Sequence, residues 1–213
     1  MKLTKFGHSC IRLDGPGGRL VIDPGGWTED AAIEGADAVL VTHQHPDHFA
    51  EGRVRAAAAA HAGLQVWTVA AVAEQLTGLG GQLHVIGDGD AFTTAGFEVE
   101  AHGTWHAVIH PDIPRITNAG FLVDQRLFHP GDALTVPDKP VSTLMLPMHA
   151  PWSRISELID WVRQVSPTRA LAIHDGALNP TGLAVVGGLL ADRGPGINST
   201  FSRLEPGAQT DEL

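Results

Sequence analysis

Ala38-Val39-Leu40-Val41-Thr42-His43-Gln44-His45-Pro46-Asp47-His48 is the stretch whose reading decides the fold. Four consecutive apolar residues give way to a threonine and then to three histidines and an aspartate. The apolar run reads as a β-strand buried on both faces, because no position in it offers a polar side to water. The polar run cannot continue the core, since each imidazole and the carboxylate would need a buried partner. It reads as a loop at the carboxyl end of a strand, where open α/β architectures tend to place their chemistry. Neutral imidazole nitrogens and ionised carboxylates bind divalent transition metals, and His43-x-His45 can aim two rings at one ion. Asp47 and His48 point elsewhere in the same turn and can serve a second ion. A polar surface loop that is histidine-rich by accident is the bland alternative, and it leaves the density of ligand-type residues unexplained.

Composition sets the bounds. A chain of 213 residues, 43% hydrophobic and 18% charged, is long enough to bury a substantial core and reads as one domain spanning 1–213. The formal net charge of −10 disfavours a nucleic-acid binder, which needs a basic face. No apolar run approaches the ~20 residues of a membrane span, and no apolar segment of signal-peptide type follows Met1-Lys2-Leu3-Thr4-Lys5. The single cysteine, Cys10, rules out an intramolecular disulfide and fits a reducing cytoplasm. Within Ser9-Cys10-Ile11-Arg12-Leu13 it reads as a small buried hydrophobe.

Short strands separated by glycine turns fill the first half: Leu3–Phe6, Cys10–Leu13, Arg19–Ile22, Leu64–Thr68, Leu83–Ile86, Ala91–Thr94 and Phe97–Ala101. Alanine-rich Glu51–Ala62 and short Val69–Leu76 read as helices. In the second half Gly120–Val123 and Arg126–Phe128 form a hairpin around Asp124-Gln125, followed by strands at Thr143–Leu146 and Ala170–Ile173. The clearest helix is Ser153–Val165, with Trp152, Ile155, Leu158, Ile159, Val162 and Val165 on one face and Ser153 as its expected N-cap. A last helix covers Leu183–Leu190, and the polar, acidic residues from about 202 to 213 read as a loose tail.

An apolar run followed by a ligand-type residue recurs along the chain. Leu127-Phe128 leads into His129-Pro130-Gly131-Asp132, Leu144-Met145-Leu146 into Pro147-Met148-His149, and Leu171-Ala172-Ile173 into His174. Strands laid side by side bring such ends to one edge, which is how residues distant in sequence share a site.

His43-x-His45-x-Asp47-His48 matches the His-x-His-x-Asp-His signature of the metallo-β-lactamase superfamily, and the chain resembles that family from about His8 to His174. The resemblance implies an α+β fold, a four-layer αββα sandwich with a metal site at one edge of two packed sheets. It also implies a site for two divalent ions, zinc by default with manganese or iron as alternatives. His43, His45 and His106 are then expected on one ion, and Asp47, His48 and His174 on the other, with Asp132 bridging. His102 and His110 compete with His106 for the third histidine position. Phe6-Gly7-His8-Ser9-Cys10 and Val21-Ile22-Asp23-Pro24 look most like the compact branch that contains the ascorbate-phosphate lactonase.

Four further residues are expected near the site. Asp23 would orient a ligand histidine through its other ring nitrogen. His8, His110 and His149 are candidates for contact with substrate or with a ligand, and Trp27, Trp105 and Trp152 for pocket walls. The leading expectation is a dinuclear hydrolase in which a metal-bound hydroxide attacks a small ester, lactone or phosphate-containing molecule. Asp47 is the expected proton acceptor during turnover. A phosphodiesterase or nuclease of the same superfamily is the runner-up, and a non-enzymatic metal-binding or redox-sensing protein comes from a different class. The expected partner is a small-molecule substrate rather than nucleic acid or membrane. Oligomeric state is left open.

Overall fold

The computed structural model describes residues 1–191 and 193–213. Strands β1 (Lys2–Lys5), β2 (Ile11–Gly15) and β3 (Gly18–Ile22) form an antiparallel meander, since two- and five-residue turns can join only antiparallel neighbours. Strands β4 (Ala38–Val41), β5 (Gln65–Thr68) and β6 (Leu83–Val85) then add parallel to β3. Parallel addition needs crossovers, which helices α1 (Glu51–Ala60) and α2 (Ala70–Ala73) supply.

The second half repeats this scheme. Strands β7 (Ala91–Thr94), β8 (Phe97–His102), β9 (Gly120–Val123) and β10 (Leu127–His129) are antiparallel. After them β11 (Thr143–Pro147), β12 (Arg169–Ile173) and β13 (Thr200–Ser202) run parallel, with helices α3 (Ile155–Val165) and α4 (Pro180–Leu190) crossing between them. Strand β14 (Gln209–Thr210) returns to pair with β1. Among the described residues the sheet orders are β14-β1-β2-β3-β4-β5-β6 and β13-β12-β11-β10-β9-β8-β7.

Alternation along the strands sorts side chains into layers. Phe121 and Val123 of β9, Met145 of β11 and Leu171 and Ile173 of β12 join the core between the sheets, with Leu3, Ile11, Leu20 and Leu40. Their neighbours Leu122, Leu144, Leu146, Ala170 and Ala172 face the other way, onto Leu158, Ile159 and Val162 of α3. Val54 and Ala58 of α1 are buried in the same apolar cluster as the first sheet. The result is the expected α+β, four-layer αββα sandwich.

Three boundaries differ from the sequence reading. Residues after 202 are not a loose tail: Leu3 and Thr4 pair with Thr210 and Gln209, and Arg169 bonds the Glu212 carboxylate at 2.9 Å. The exposed edge of β1 offers unpaired backbone groups, and that need outweighs the polarity of the segment. Ser153 does not cap α3. Its hydroxyl turns back to the Ala150 backbone, and Glu157 accepts the Arg154 N–H instead. Helix α4 starts early, at Pro180, because Asn179 accepts the Gly182 N–H at 2.8 Å. No helix among the described residues is long and apolar enough to cross a membrane.

Candidate metal centre

Carboxyl ends of strands from both sheets meet at one edge. Asp23 follows β3, Thr42 and His43 follow β4, Asp132 follows β10, and His174 follows β12. His8 comes from the turn between β1 and β2, and His106 from the loop between β8 and β9. His8, Asp23 and His174 hold left-handed backbone, with φ of 57°, 52° and 57°. L-residues pay of order 1–3 kcal/mol for such dihedrals unless the surroundings enforce them. Here the His174 N–H donates to the His8 carbonyl at 3.2 Å, locking two of the three together. Gly131 is also left-handed, and a Cβ there would run into Asn118 and Thr42. Its absence lets Asn118 accept the Asp132 N–H at 3.0 Å while donating to the Pro130 carbonyl at 2.9 Å.

Two groups of ligand-type atoms result, each with all members within 4.8 Å of one another: His43, His45, His106 and Asp132, and His8, Asp47, His48 and His174. Asp132 lies between them. Its Oδ2 is 3.3 Å from His106 Nε2 and 3.2 Å from His174 Nε2, and its Oδ1 is 3.1 Å from His48 Nε2. Trp152 Nε1–H donates to the same Oδ2 at 2.9 Å.

What lies behind the rings fixes which nitrogen points inward. His48 Nδ1 is tied to Asp23 at 2.6 Å, His174 Nδ1 to the His149 carbonyl at 2.7 Å, and His106 Nδ1 to the Ala107 carbonyl at 2.6 Å. His43 Nδ1 meets the Thr42 hydroxyl at 2.9 Å, and that hydroxyl donates to Asp23 at 2.7 Å. Carbonyls, carboxylates and a hydroxyl already committed as a donor accept from Nδ1–H, so four histidines present an unprotonated Nε2. His8 is wired the other way. Gly176 N–H donates to its Nδ1 at 3.2 Å, so the proton sits on Nε2 and is given to Asp47 Oδ2 at 3.0 Å.

Electrostatics keep His43 and His45 neutral and both carboxylates ionised, while His48 is left demanding a positive charge. Burial, reinforced by His48, holds His43 well below the usual imidazole range, and burial with His106 lowers His45. Burial opposes charge on Asp47, but the His8 hydrogen bond and the nearby His48 outweigh it and hold the carboxyl at about 2. Asp132 is likewise pushed well below the carboxylate range, because the charge demand of His48 and the closeness of His106 and His174 overcome its burial. His48, flanked by Asp132 and Asp23, is raised well above the usual range despite burial. Ionised carboxylates and neutral rings are the forms that bind a cation, and a cation at His48 Nε2 answers the same charge demand as a proton.

Orphaned atoms complete the fit. His48 Nε2, His106 Nε2 and Asp132 Oδ1 are buried without a hydrogen-bond partner, although they crowd other polar atoms. Ligands about 2.0–2.1 Å from a tetrahedral ion stand roughly 3.3 Å apart; the inward atoms around Asp132 and the His43–His45 pair are spaced at 3.1–3.3 Å, and Asp47 stands 3.7 Å from His174 and 3.9 Å from His48. With the outer nitrogens of His43, His48, His106 and His174 committed as donors, their inward atoms face Asp132 and one another as acceptors, and the donor set is the one a divalent transition ion takes.

Seven expected ligand-type residues are therefore brought together, and Asp23 stands behind two of them. Of the three competitors, His106 joins the group. His102 lies at the end of β8 between Glu100 and Asp138, and His110 is exposed beside Asp112, because the intervening loop carries it outward. His110 thus falls outside the cluster. His149 contributes its backbone carbonyl to His174, not an imidazole to the centre. Thr42, which orients His43, fits the family signature in sequence, whereas Asn118, which orients Asp132, carried no signal beyond its position before the hairpin.

A family model described as a β-lactamase superfamily domain matches residues 2–174. Protein Rv0786c of Mycobacterium tuberculosis is 39% identical over 198 residues, covering 90% of this chain and 92% of that protein. The UPF0173 metal-dependent hydrolase Atu1317 of Agrobacterium fabrum is 34% identical over 110 residues, 45% of this chain and 47% of that one. Among solved structures, Igni18, a metallo hydrolase from Ignicoccus hospitalis, superposes with a TM-score of 0.73 at 18% identity, covering 98% of this chain and 97% of that one.

Proposed function

Because this chain belongs to the β-lactamase superfamily, with its metallo-β-lactamase fold, we propose that it is a metal-dependent hydrolase of a small ester, lactone or phosphate-containing molecule. The observation that carries the reading is the wiring of the histidines. Four present an Nε2 freed by an outer acceptor on Nδ1, around an ionised aspartate shared between two groups.

His43, His45 and His106 would hold one divalent ion, Asp47, His48 and His174 a second, with Asp132 reaching both; zinc is the first choice for this donor set. Two such ions supply Lewis acidity toward the scissile group and make a nucleophile available from water near neutral pH.

The chain's own residues hold that arrangement rigid. Asp23 takes the His48 Nδ1 proton and, through the Thr42 hydroxyl, fixes His43. Trp152 Nε1–H holds Asp132 Oδ2, and His8 Nε2–H holds Asp47 Oδ2. A carboxyl held at about 2 is a poor proton acceptor near neutrality, so Asp47 is assigned to holding an ion and not to moving a proton. The buried pair of Lys5 and Asp175 braces the back of the site, Lys5 Nζ donating to the His8 carbonyl at 2.6 Å.

The test is turnover by the chain reconstituted separately with zinc and manganese, against a lactone, a thioester and a phosphodiester. Metal-dependent hydrolysis of one class, lost in Asp132→Ala and His174→Ala, is expected. Turnover that persists in both variants or in the presence of excess chelator would overturn the reading.

A further inference from the structure

A cavity of about 620 Å³ opens beside the metal centre, between the loop at 105–115 and the turn at 151–157. Ile109 and Arg115 belong both to its wall and to a narrower space against His45 and His106, so the cavity adjoins the cluster. Trp152 lines it while its Nε1–H holds Asp132.

Two features of the lining are not needed to hold ions. The first is apolar. Trp105, Val108 and Ile109 of the lining, and Ile113 of the narrower space beside it, are large hydrophobic side chains exposed on the 105–115 loop. Large apolar side chains left in water at the mouth of an otherwise polar cavity mark a binding surface. The second is charge. In a chain of net charge −10, Arg115 and Arg154 line this cavity against a single carboxylate, Glu157. Arg115 is anchored by Nε–H to the His106 carbonyl at 2.9 Å, with its guanidinium 5.8 Å from the Trp105 ring centre. Arg154 has an 82% exposed side chain and meets Glu157 only at 3.9 Å, so most of its donors are free. Guanidinium donors at a partly apolar mouth recognise oxyanions and draw them in against the negative field of the remainder.

We propose that this cavity is the substrate pocket and that the substrate is an ester or lactone with an apolar acyl or aryl body and an oxyanion substituent, carboxylate or phosphate. The apolar body lies along Trp105 and Trp152, and the oxyanion is met by Arg154 with Arg115. This rests on the hydrolase reading of the adjoining centre.

Arg154 is the discriminating residue, because Arg115 also holds the loop. Calorimetric titration of the full zinc-loaded chain would use 4-phenylbutyrate, phenylphosphonate and the neutral 4-phenylbutyramide. Coordination of an anion to zinc is common to wild type and variants, so their comparison isolates the pocket. Arg154→Gln should weaken the two anions about tenfold and leave the amide unchanged. Trp105→Ala should weaken all three about fivefold. The ratio of the two anions identifies the preferred oxyanion. Zinc content equal to wild type in both variants shows that the centre is intact. Unchanged binding of all three probes in both variants overturns the proposal. Hydrolysis of neutral phenyl acetate with no effect of Arg154→Gln on anion binding would sink the substrate class alone. Arg154-dependent anion binding with no ester turned over would sink the hydrolase reading alone.

Discussion

Asp23 faces no open space, yet two histidines depend on it. One carboxylate oxygen takes the His48 Nδ1 proton and the Thr42 hydroxyl, and the other takes the Thr42 backbone N–H. Asp23→Asn replaces that acceptor with a neutral amide of the same shape. Metal affinity should fall about 10- to 100-fold, read by competition with a chelator, while the circular dichroism stays as in wild type. An unchanged affinity would show that Asp23 serves only the turn. His8 makes the opposite case, because its Nδ1 is occupied by Gly176 N–H and its Nε2 proton by Asp47. His8→Gln should therefore keep the metal content of wild type by elemental analysis while lowering turnover. Loss of one equivalent would make His8 a ligand. The sequence disclosed the ligand-type residues unevenly, for a reason visible here. His43, His45, Asp47 and His48 fall within six residues, so their density alone was informative. The tautomer of His8, the hydroxyl of Thr42 and the carbonyl of His149 act through neighbours that only folding supplies.

At the scale of elements, helices and strands were legible where one face is apolar and blurred where ends are set by single hydrogen bonds. Helix α3 is the clear case: Leu158, Ile159 and Val162 fill the outer core against β11 and β12. Leu158→Ala should cost about 2–5 kcal/mol, seen as a lower urea midpoint with unchanged slope, since the sheet beneath cannot collapse into the void. A loss below ~0.5 kcal/mol would mean that the helix packs loosely. Its start was misplaced because Ser153 found a partner in Ala150 and left the cap to Glu157. The last segment was misjudged for a related reason. Polarity reads as solvent, but Gln209–Thr210 needs only backbone groups to close the edge of β1. Removing residues 204–213 should lower the urea midpoint and expose that edge, raising the tendency to aggregate on scattering measurements. A truncated chain as stable and monodisperse as the whole would return the segment to the status of a tail.

Across the molecule the centre joins two halves that fold in the same pattern. The first sheet and its loops bring His8, His43, His45, Asp47 and His48; the second brings His106, Asp132 and His174. Neither half carries a full set, which is why a sequence showing one motif strongly could show the remainder only as isolated residues at strand ends. Ions held by ligands from both sheets bind the folded state and not the separated halves, so they stabilise it by mass action. At free metal about 100 times the dissociation constant, the contribution is about 2.7 kcal/mol, which for a chain of this length corresponds to roughly 5–10 °C in the thermal midpoint. We propose that residues 1–213 melt as one unit, so scanning calorimetry should give a single transition. Its midpoint should climb with the logarithm of free zinc and drop by that amount on chelation. Two transitions, only one of them responding to metal, would place the ions within one half. A midpoint indifferent to zinc would remove the joint altogether and leave the sheets held by their apolar interface alone.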